Sequence, residues 1–409
     1  MEGDNGGIFM GNMNRFALKF MGLPLINPLI LASAPPTATP AMIERAFETG
    51  WAGAVIKTLI DEPVRNLSNR FGINKIGSRM AAFKNIELLS EIPPEVWFNG
   101  VVHLKNKFPD RLIIGSIMAD AHDFDGWRRL ALGCQESGMD MVELNFSCPN
   151  GYPERGKGCA IGQNEIIAAD IVRNIKADRR ITIPIVPKLT PNVTDISFIG
   201  EELVRAGADA FCAINTVPSL LGFDLSTLCP RVNVDGYSAT GGYSGPGIKP
   251  IALRCIYDLV CKPGIPVMGC GGCMTGDDVV EFLLLGAGAV QLATAVMFNG
   301  YPLIEQLLSK ILDFMDRHGF ETIAGFQGLG LERIKRFDQL NSEYRTMAVI
   351  DTEKCKRCQK CFIACRDGGY QAISILSDVA SPLVDSEKCV GCSLCSLVCP
   401  FDAIHMKEK

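Results

Sequence analysis

Eight short apolar runs recur along the first three quarters of the chain, with helical patterns between them. They are Leu29–Ala32, Gly53–Lys57, Leu112–Ile117, Met141–Ser147, Ile183–Leu189, Ala210–Thr216, Pro266–Gly271 and Ala289–Thr294. Most are apolar on both faces, as strands of a buried parallel sheet must be. The segments "AMIERAFETG", "GWRRLALGCQESG", "DISFIGEELVRAG" and "DDVVEFLLLGAG" carry helical periodicity and stop at glycine, which ends helices readily. Repeated strand–helix alternation gives a parallel sheet. Eight units over about 320 residues predict a closed (β/α)8 TIM barrel. An open doubly wound sheet shares the local pattern, but strand count and length favour the barrel. No dinucleotide fingerprint is present: "GCGGCMTG" has Met274 where the third glycine belongs.

Two connections, Leu59 to Ile92 and Val217 to Gly245, are too long for simple strand-to-helix loops. Loops that follow strands lie on the catalytic face of such a barrel, and long ones tend to be functional or mobile. The expected organisation is a catalytic barrel over 1–318, a charged linker over 319–347 and a small domain over 348–409.

Cysteine defines the small domain. The chain has 17 cysteines, and eight fall in the last 55 residues. They form "CKRCQKCFIAC" and "CVGCSLCSLVCP", both C-x2-C-x2-C-x3-C and 34 residues apart. The second run ends in Pro400, where the first has Arg366. Two such runs in tandem signal two [4Fe–4S] clusters, with each run's fourth cysteine crossing to the other cluster. Cys355, Cys358, Cys361 and Cys399 are expected to hold one cluster; Cys389, Cys392, Cys395 and Cys365 the other. Zinc sites prefer two separated pairs, and disulfide scaffolds belong to small secreted chains. The module resembles the α+β two-cluster ferredoxins of bacteria over its whole length.

The net charge of −5 gives no general attraction to nucleic acid or anionic membrane. The start, "MEGDNGG", lacks the basic residues of a secretory signal. The apolar stretch "FALKFMGLPLINPLILASA" is broken by Lys19, Pro24, Asn27 and Pro28, so no spanning helix is expected. The expectation is a cytoplasmic protein with neither nucleic-acid nor membrane partners.

Two clusters conduct electrons but do no organic chemistry alone, so the barrel is expected to hold a flavin. Gly271, Gly272 and Gly245 lie in loops where backbone N–H groups could approach a phosphate. Lys57 and Lys188 sit at strand ends, where a cation could offset charge on a reduced flavin ring. Asn85 and Glu87 fall in the first long connection, Asn145 and Ser147 end one strand, and Asn215 and Thr216 end another. An amide presents both donor and acceptor, so three asparagines at one mouth suit a flat, uracil-like ring. Cys148, where a strand opens into "SCPNGYPERGKG", could be a metal ligand, a nucleophile, a proton donor or a buried filler.

The segments "LASAPP", "FKNIELLSE", "LNFSCPNG", "ERGKG", "KLTPNVTDI", "NTV" and "SGPGIKPIALR", with the ferredoxin tail, resemble the dihydropyrimidine dehydrogenase family. In particular the chain resembles its stand-alone bacterial subunit, which carries FMN and two [4Fe–4S] clusters. That resemblance implies a dihydroorotate dehydrogenase-like barrel and reversible reduction of uracil or thymine at the 5,6 bond. It implies FMN contacts at Ser33, Lys57, Thr58, Lys188, Gly245, Cys270, Gly271, Gly272, Ala293 and Thr294. It implies pyrimidine contacts at Asn85, Asn145, Phe146, Ser147, Asn215 and Thr216, with Glu87 grouped beside them. It implies Cys148 as the catalytic acid; the glycine-rich "GYPERGKG" then reads as a mobile lid that carries this acid over the ring. FAD and NAD(P)H would reside on a partner subunit in a hetero-oligomer. Asn150 is also the residue that follows "SCP" in the dihydroorotate dehydrogenases. That leaves a reductase of orotate or another cyclic amide as the alternative, beside a plain electron-transfer subunit.

Overall fold

The computed structural model describes residues 14–150, 156–376 and 381–409. The eight apolar runs become eight strands: β1 Leu29–Leu31, β2 Gly53–Val55, β3 Leu112–Ile117, β4 Met141–Asn145, β5 Ile185–Leu189, β6 Phe211–Ala213, β7 Val267–Cys270 and β8 Ala289–Leu292. They pair in chain order, and β8 returns to β1 in parallel register (Val290 against Leu29), closing the barrel. The strands are shorter than the apolar runs because the last residues of several runs turn out of the ladder into the mouth.

Helices wrap the outside. Side-chain oxygens of Thr39, Asp123, Asn164, Asp195 and Thr275 cap Pro40–Glu48, Phe124–Glu136, Glu165–Ala177, Ile196–Arg205 and Gly276–Leu284, satisfying N–H groups that the helix cannot. The expected glycine stops take left-handed φ values: 104° at Gly50, 90° at Gly138, 101° at Gly207 and 85° at Gly286. Inside the barrel, Ile30, Val55, Ile114, Val186 and Met268 form one apolar cluster. An N-terminal hairpin, Leu18–Phe20 with Leu23–Leu25, adds Phe20 and Leu25 to it. Phe20 rests against Gly288, just before β8. The hairpin thus fills the end where strands begin and leaves the other end open.

The two long connections are not independent loops. They pair into one antiparallel sheet in the order Val217–Ser219, Gly241–Ser244, Arg79–Asn85, Phe71–Ile76. Gly242 sits opposite Asn85 in this sheet. Lys84, almost wholly buried, donates to Ala239 O at 2.7 Å. A side chain on Gly72 would come within 2.4 Å of Val232 and 2.7 Å of Leu221, so the two connections approach closely only because that position is glycine.

The chain divides into two compact units, Met1–Arg333 and Ile334–Lys409. The first half of the segment expected as a linker packs on the barrel unit. There Ile323 and Phe326 are buried, Gln327 Nε2 donates to Ala287 O at 2.8 Å, and Gly330 N donates to Leu284 O at 2.9 Å. In the second unit Thr346–Ile350 pairs with Ile404–Glu408, and Ile373–Ser374 with Leu383–Val384. No helix among the described residues is long and apolar enough to cross a membrane.

Replacing Gly242 by alanine tests the shared sheet. The new Cβ would fall 2.2 Å from Thr216 Oγ1, an overpacking that costs about 1–3 kcal/mol. Limited proteolysis should then cut the 217–245 segment faster while far-ultraviolet dichroism keeps the barrel signal. An unchanged cleavage map would refute the shared sheet.

Candidate active site

At the mouth of the barrel lies a cavity of about 960 Å³, including its opening to solvent. All the expected barrel-site residues line it except Phe146, Ser147 and Gly245. Phe146 is fully buried edge-on against Trp127, with ring centroids 5.5 Å apart. Ser147 stands behind the asparagines. Gly245 follows Ser244, which does line the cavity.

The deepest wall is a buried ionic group. Lys188 on β5 donates to Gln291 Oε1 on β8 at 3.0 Å, and Gln291 Nε2 donates to Glu143 Oε2 on β4 at 2.9 Å. Lys188 Nζ stands 3.5 Å from Glu143 Oε1, an ion pair longer than a hydrogen bond. Burial works against the Lys188 charge, yet the buried Glu143 carboxylate helps hold its pKa above the ordinary value. Neither Glu143 nor Gln291 was picked out from the sequence. The available signal was a charged or amide residue in the middle of an apolar barrel strand, which is rarely buried without a partner.

Beside this wall, Gly271 and Gly272 have φ of 120° and 78°. A Cβ on Gly272 would lie 2.4 Å from Lys249 N, so only bare backbone fits there. Ser244 and Thr294 share a hydroxyl hydrogen bond of 2.9 Å. Ser244 was also missed, although it lies in a segment whose glycines were noted. Exposed backbone N–H groups with neighbouring hydroxyls are a donor set for an anion.

A second band carries amides. Asn145 Nδ2 donates to Thr58 Oγ1 at 3.0 Å, and Thr58 in turn bonds Ser116 and Ser33. Asn215 Nδ2 donates to Ser147 Oγ at 2.9 Å, and Ser147 Oγ donates to Asn145 Oδ1 at 3.3 Å. Asn85 Nδ2 reaches Gly242 O at 3.4 Å. Among the described residues, each of these three amides keeps one N–H without a protein acceptor. Asn150, 4% exposed, spends its amide on the protein: it donates to Asn85 Oδ1 at 2.9 Å and Glu87 O at 2.8 Å, and accepts from Gly242 N at 3.1 Å. Phe71 and Phe83, with centroids 5.3 Å apart, add apolar cover.

Cys148 is 6% exposed and lines the same cavity. Burial pushes its thiol up to about 11, against opposing effects from the Asn150 backbone and the Lys57 ammonium. Lys57 itself is lowered by burial and supported by Glu87, whose Oε1 accepts from Lys57 Nζ at 3.0 Å. The other oxygen of Glu87 binds Arg70. Glu87 is therefore committed to two cations. A Cβ on Gly158 would lie 2.5 Å from Cys148 O, and Cys159 N donates to that same oxygen at 3.0 Å, so the returning chain packs directly on Cys148. Lys157, also in the expected lid, pairs with Asp120 at 3.0 Å, while 151–155, including Glu154 and Arg155, lie outside the described residues.

Comparison with known proteins gives this geometry a lineage. A family profile described as dihydroorotate dehydrogenase matches residues 15–315, and one described as a 4Fe-4S dicluster domain matches 348–406. The chain is 36% identical over 396 residues to the NAD-dependent dihydropyrimidine dehydrogenase subunit PreA of Escherichia coli K12, covering 96% of this chain and 95% of that one. The chain belongs to the dihydropyrimidine dehydrogenase family. To the chloroplastic dihydropyrimidine dehydrogenase (NADP(+)) of Arabidopsis thaliana it is 36% identical over 325 residues, 76% of each chain. To the catalytic subunit of dihydroorotate dehydrogenase B (NAD(+)) of Pyrococcus horikoshii it is 35% identical over 317 residues, 77% of this chain and 97% of the relative. It is an oxidoreductase, and its family supports flavin and iron–sulfur as its redox groups.

This dihydropyrimidine dehydrogenase relative carries its eight tail cysteines around two cavities. Cys355, Cys358, Cys361 and Cys399 line one of about 330 Å³; Cys365, Cys389, Cys392 and Cys395 line another of about 360 Å³. These are the two crossed sets expected from the spacing. Among the described residues no group of three or more His, Cys, Asp or Glu is placed to hold a single metal ion. Four thiols spread around a cavity suit a cluster better than zinc. Backbone N–H groups of Ala372 and Ala403 point at the sulfurs of Cys365 and Cys399, at 3.3 and 3.4 Å.

The Cys148 environment can be titrated. Because burial holds this thiol protonated, iodoacetamide labelling of Cys148 should be slow at neutral pH and still accelerating above pH 9, towards about 11. Lys57→Met removes the cation that favours the thiolate, so its curve should move to higher pH. A wild-type rate that levels off below pH 9, read by peptide mass mapping, would contradict the assignment.

Proposed function

We propose that this chain reversibly reduces the 5,6 double bond of uracil and thymine in the cytoplasm. FMN would sit in the barrel, two [4Fe–4S] clusters in the tail, and electrons would come from NAD(P)H through a partner subunit that carries FAD. The observation that carries this reading is convergence: the Cys148 thiol and the amides of Asn85, Asn145 and Asn215 line the same cavity as the glycine cradle and the Lys188 wall.

The residues present fit FMN. Gly271, Gly272, Gly245, Ser244 and Thr294 would hold its phosphate, and Ser33, Lys57, Thr58, Lys188, Cys270 and Ala293 would surround the rest. A cradle that a Cβ would fill at Gly272, with no carboxylate in its donor set, is what a phosphate needs. When bound, FMN supplies hydride exchange with the ring.

The chain's own residues do the remaining work. The unused N–H groups of Asn85, Asn145 and Asn215 would bond the ring carbonyls and hold the ring flat, with Ser147 and Thr216 fixing the amides. Glu87 acts by pairing with Lys57 and Arg70, one carboxylate between two cations. Cys148 would hold a proton over C5 until negative charge develops there. A thiol lifted to about 11 keeps its proton at neutral pH and yields it only to a stronger base, the behaviour wanted of an acid that must not ionise early. The crossed cysteine sets would each bind one cluster, linking the barrel's chemistry to single-electron delivery.

Asn150 favours a second reading, orotate, because that residue is shared with the dihydroorotate dehydrogenases. Two observations weigh against it. The Asn150 amide is already bonded three times within the protein. Both lining lysines face carboxylates, Lys57 to Glu87 and Lys188 to Glu143, which leaves neither free for a substrate carboxylate.

Two experiments test the assignment on the holoenzyme with its partner. Uracil and thymine should be reduced, and kcat/KM for orotate should be about a hundredfold lower or worse, since a buried unpaired charge is heavily penalised. Orotate turnover equal to that of uracil would overturn the substrate. Cys148→Ala should retain flavin and iron but lose about 10² to 10⁴ in kcat; near-normal turnover would remove Cys148 as the acid.

A further inference from the structure

The tail carries one backbone plan twice, 34 residues apart. Cys355 N donates to Asp351 O and Cys389 N to Asp385 O, both at 3.0 Å. The Asp351 and Asp385 carboxylates accept the equivalent pairs of backbone N–H groups, from Glu353 and Lys354 in one copy and Glu387 and Lys388 in the other. Left-handed residues recur too: Arg357 (φ 55°) matches Gly391 (73°), and Gln359 (62°) matches Ser393 (65°). Each copy is thus an internal control for the other.

The copies differ in their surfaces. Around the first cysteine run, Lys356, Arg357, Lys360 and Arg366 are all exposed. Their counterparts in the second run are Val390, Gly391, Leu394 and Pro400. Both runs expose one apolar residue at the same place, Ile363 (47%) and Leu397 (80%), but the second also shows Val390 (47%) where the first has Lys356. Arg366 is tied to Asp367. Among the described residues no carboxylate forms an ion pair with Lys356, Arg357 or Lys360. Lys356 and Lys360 line the cavity of Cys355, Cys358, Cys361 and Cys399. Three unpaired cations within five residues repel one another and add nothing to stability. The second copy shows that the fold does not require them.

We infer that this basic rim is the docking face for an acidic electron-transfer protein, so that electrons enter at the cluster site of Cys355, Cys358, Cys361 and Cys399. The inference rests on the proposed function, which supplies the need for an external donor, and adds the point of entry and the charge of the partner. In each encounter one electron passes from the donor's reduced centre to the oxidised cluster. No bond forms, and two encounters supply a two-electron reduction. Cys358 and its counterpart Cys392 are both exposed, so the charge of the rim, not exposure of a ligand, distinguishes the two sites. Opposite charges on the partner would speed encounter and make it sensitive to salt.

The test uses the reconstituted full chain, with K356E/K360E as the rim variant and Val390→Glu as the matching change on the second copy. Reduced flavodoxin serves as an acidic protein donor and the methyl viologen radical as a small donor, with cluster bleaching followed by stopped flow. Binding of oxidised flavodoxin is measured in parallel across a salt series. For the wild type, flavodoxin should bind more weakly and reduce more slowly as salt rises. K356E/K360E should lose about tenfold or more in both binding and rate, and lose the salt dependence, while viologen reduces it normally. Val390→Glu should have a smaller effect. Wild-type flavodoxin binding in K356E/K360E overturns the docking face. An equal slowing with viologen would mean that the lysines act on the cluster's own charge, which also overturns it. If viologen bleaches no cluster in the wild type, the iron–sulfur reading beneath the inference fails, a result distinct from either of these.

Discussion

The backbone pairing of Gly242 with Asn85 joins two connections 157 positions apart, and the active cavity depends on it. Without that pairing the first connection would present Asn85 and Glu87 on a free loop, and the second would present Ser244 on another. With it, both become strands of one sheet above the barrel mouth. Asn150 then reaches from the end of β4 and bonds both strands, through Asn85 and Gly242. The segment that carries Cys148 is thereby fixed to the roof. A short side-chain amide is enough for this because one group supplies two donors and one acceptor.

Charge is arranged around that roof in alternation. Arg70 meets Glu87, Glu87 meets Lys57, and Lys57 faces Cys148. At the opposite wall Lys188 meets Glu143. Buried charges are costly unless paired, so each lysine in the cavity faces a carboxylate, Lys57 sharing Glu87 with Arg70. The pairing also limits what a ligand can be. With the cations satisfied, recognition falls to amide and hydroxyl groups, which suit a neutral ring of carbonyls and N–H groups. The Cys148 thiol, disfavoured as an anion by burial, keeps its proton in the same cavity.

The barrel was legible in the sequence because its strands are local: each of the eight runs is apolar, short and bounded by turn or cap residues. The cysteine sets were legible because a cluster dictates ligand spacing, and the two cavities sort the eight thiols into the crossed groups. Asn145 and Asn215 could be named because polar residues at strand ends stand out against apolar runs, and Asn85 because it lies in an unusually long connection. The roof was not legible. Its strands pair across most of the barrel's length, and nothing in "RFGINKIGSRMAAFKN" identifies "GGYS" as its partner. Glu143 and Gln291 were hidden for a different reason. Each sits inside an apolar strand, and its role shows only when closure brings β4, β5 and β8 around one axis. Phe146 illustrates the converse. It sits among site residues in sequence, yet just past the end of β4 its ring packs against Trp127.

The duplicated tail separates what a cluster requires from what a partner requires. Spacing, left-handed turns, the Asp351 and Asp385 bonds and the N–H groups aimed at the fourth cysteines recur in both copies, so they belong to holding a cluster. The rims do not recur. A cationic rim left unpaired costs solubility nothing and adds little stability, so its presence on one copy calls for a reason outside the fold. The barrel shows the opposite habit, pairing each cation in its cavity with a carboxylate. Unpaired cations are thus absent among the lysines of the barrel cavity and present on the exposed rim of the tail, in keeping with the difference between desolvated buried charge and screened surface charge.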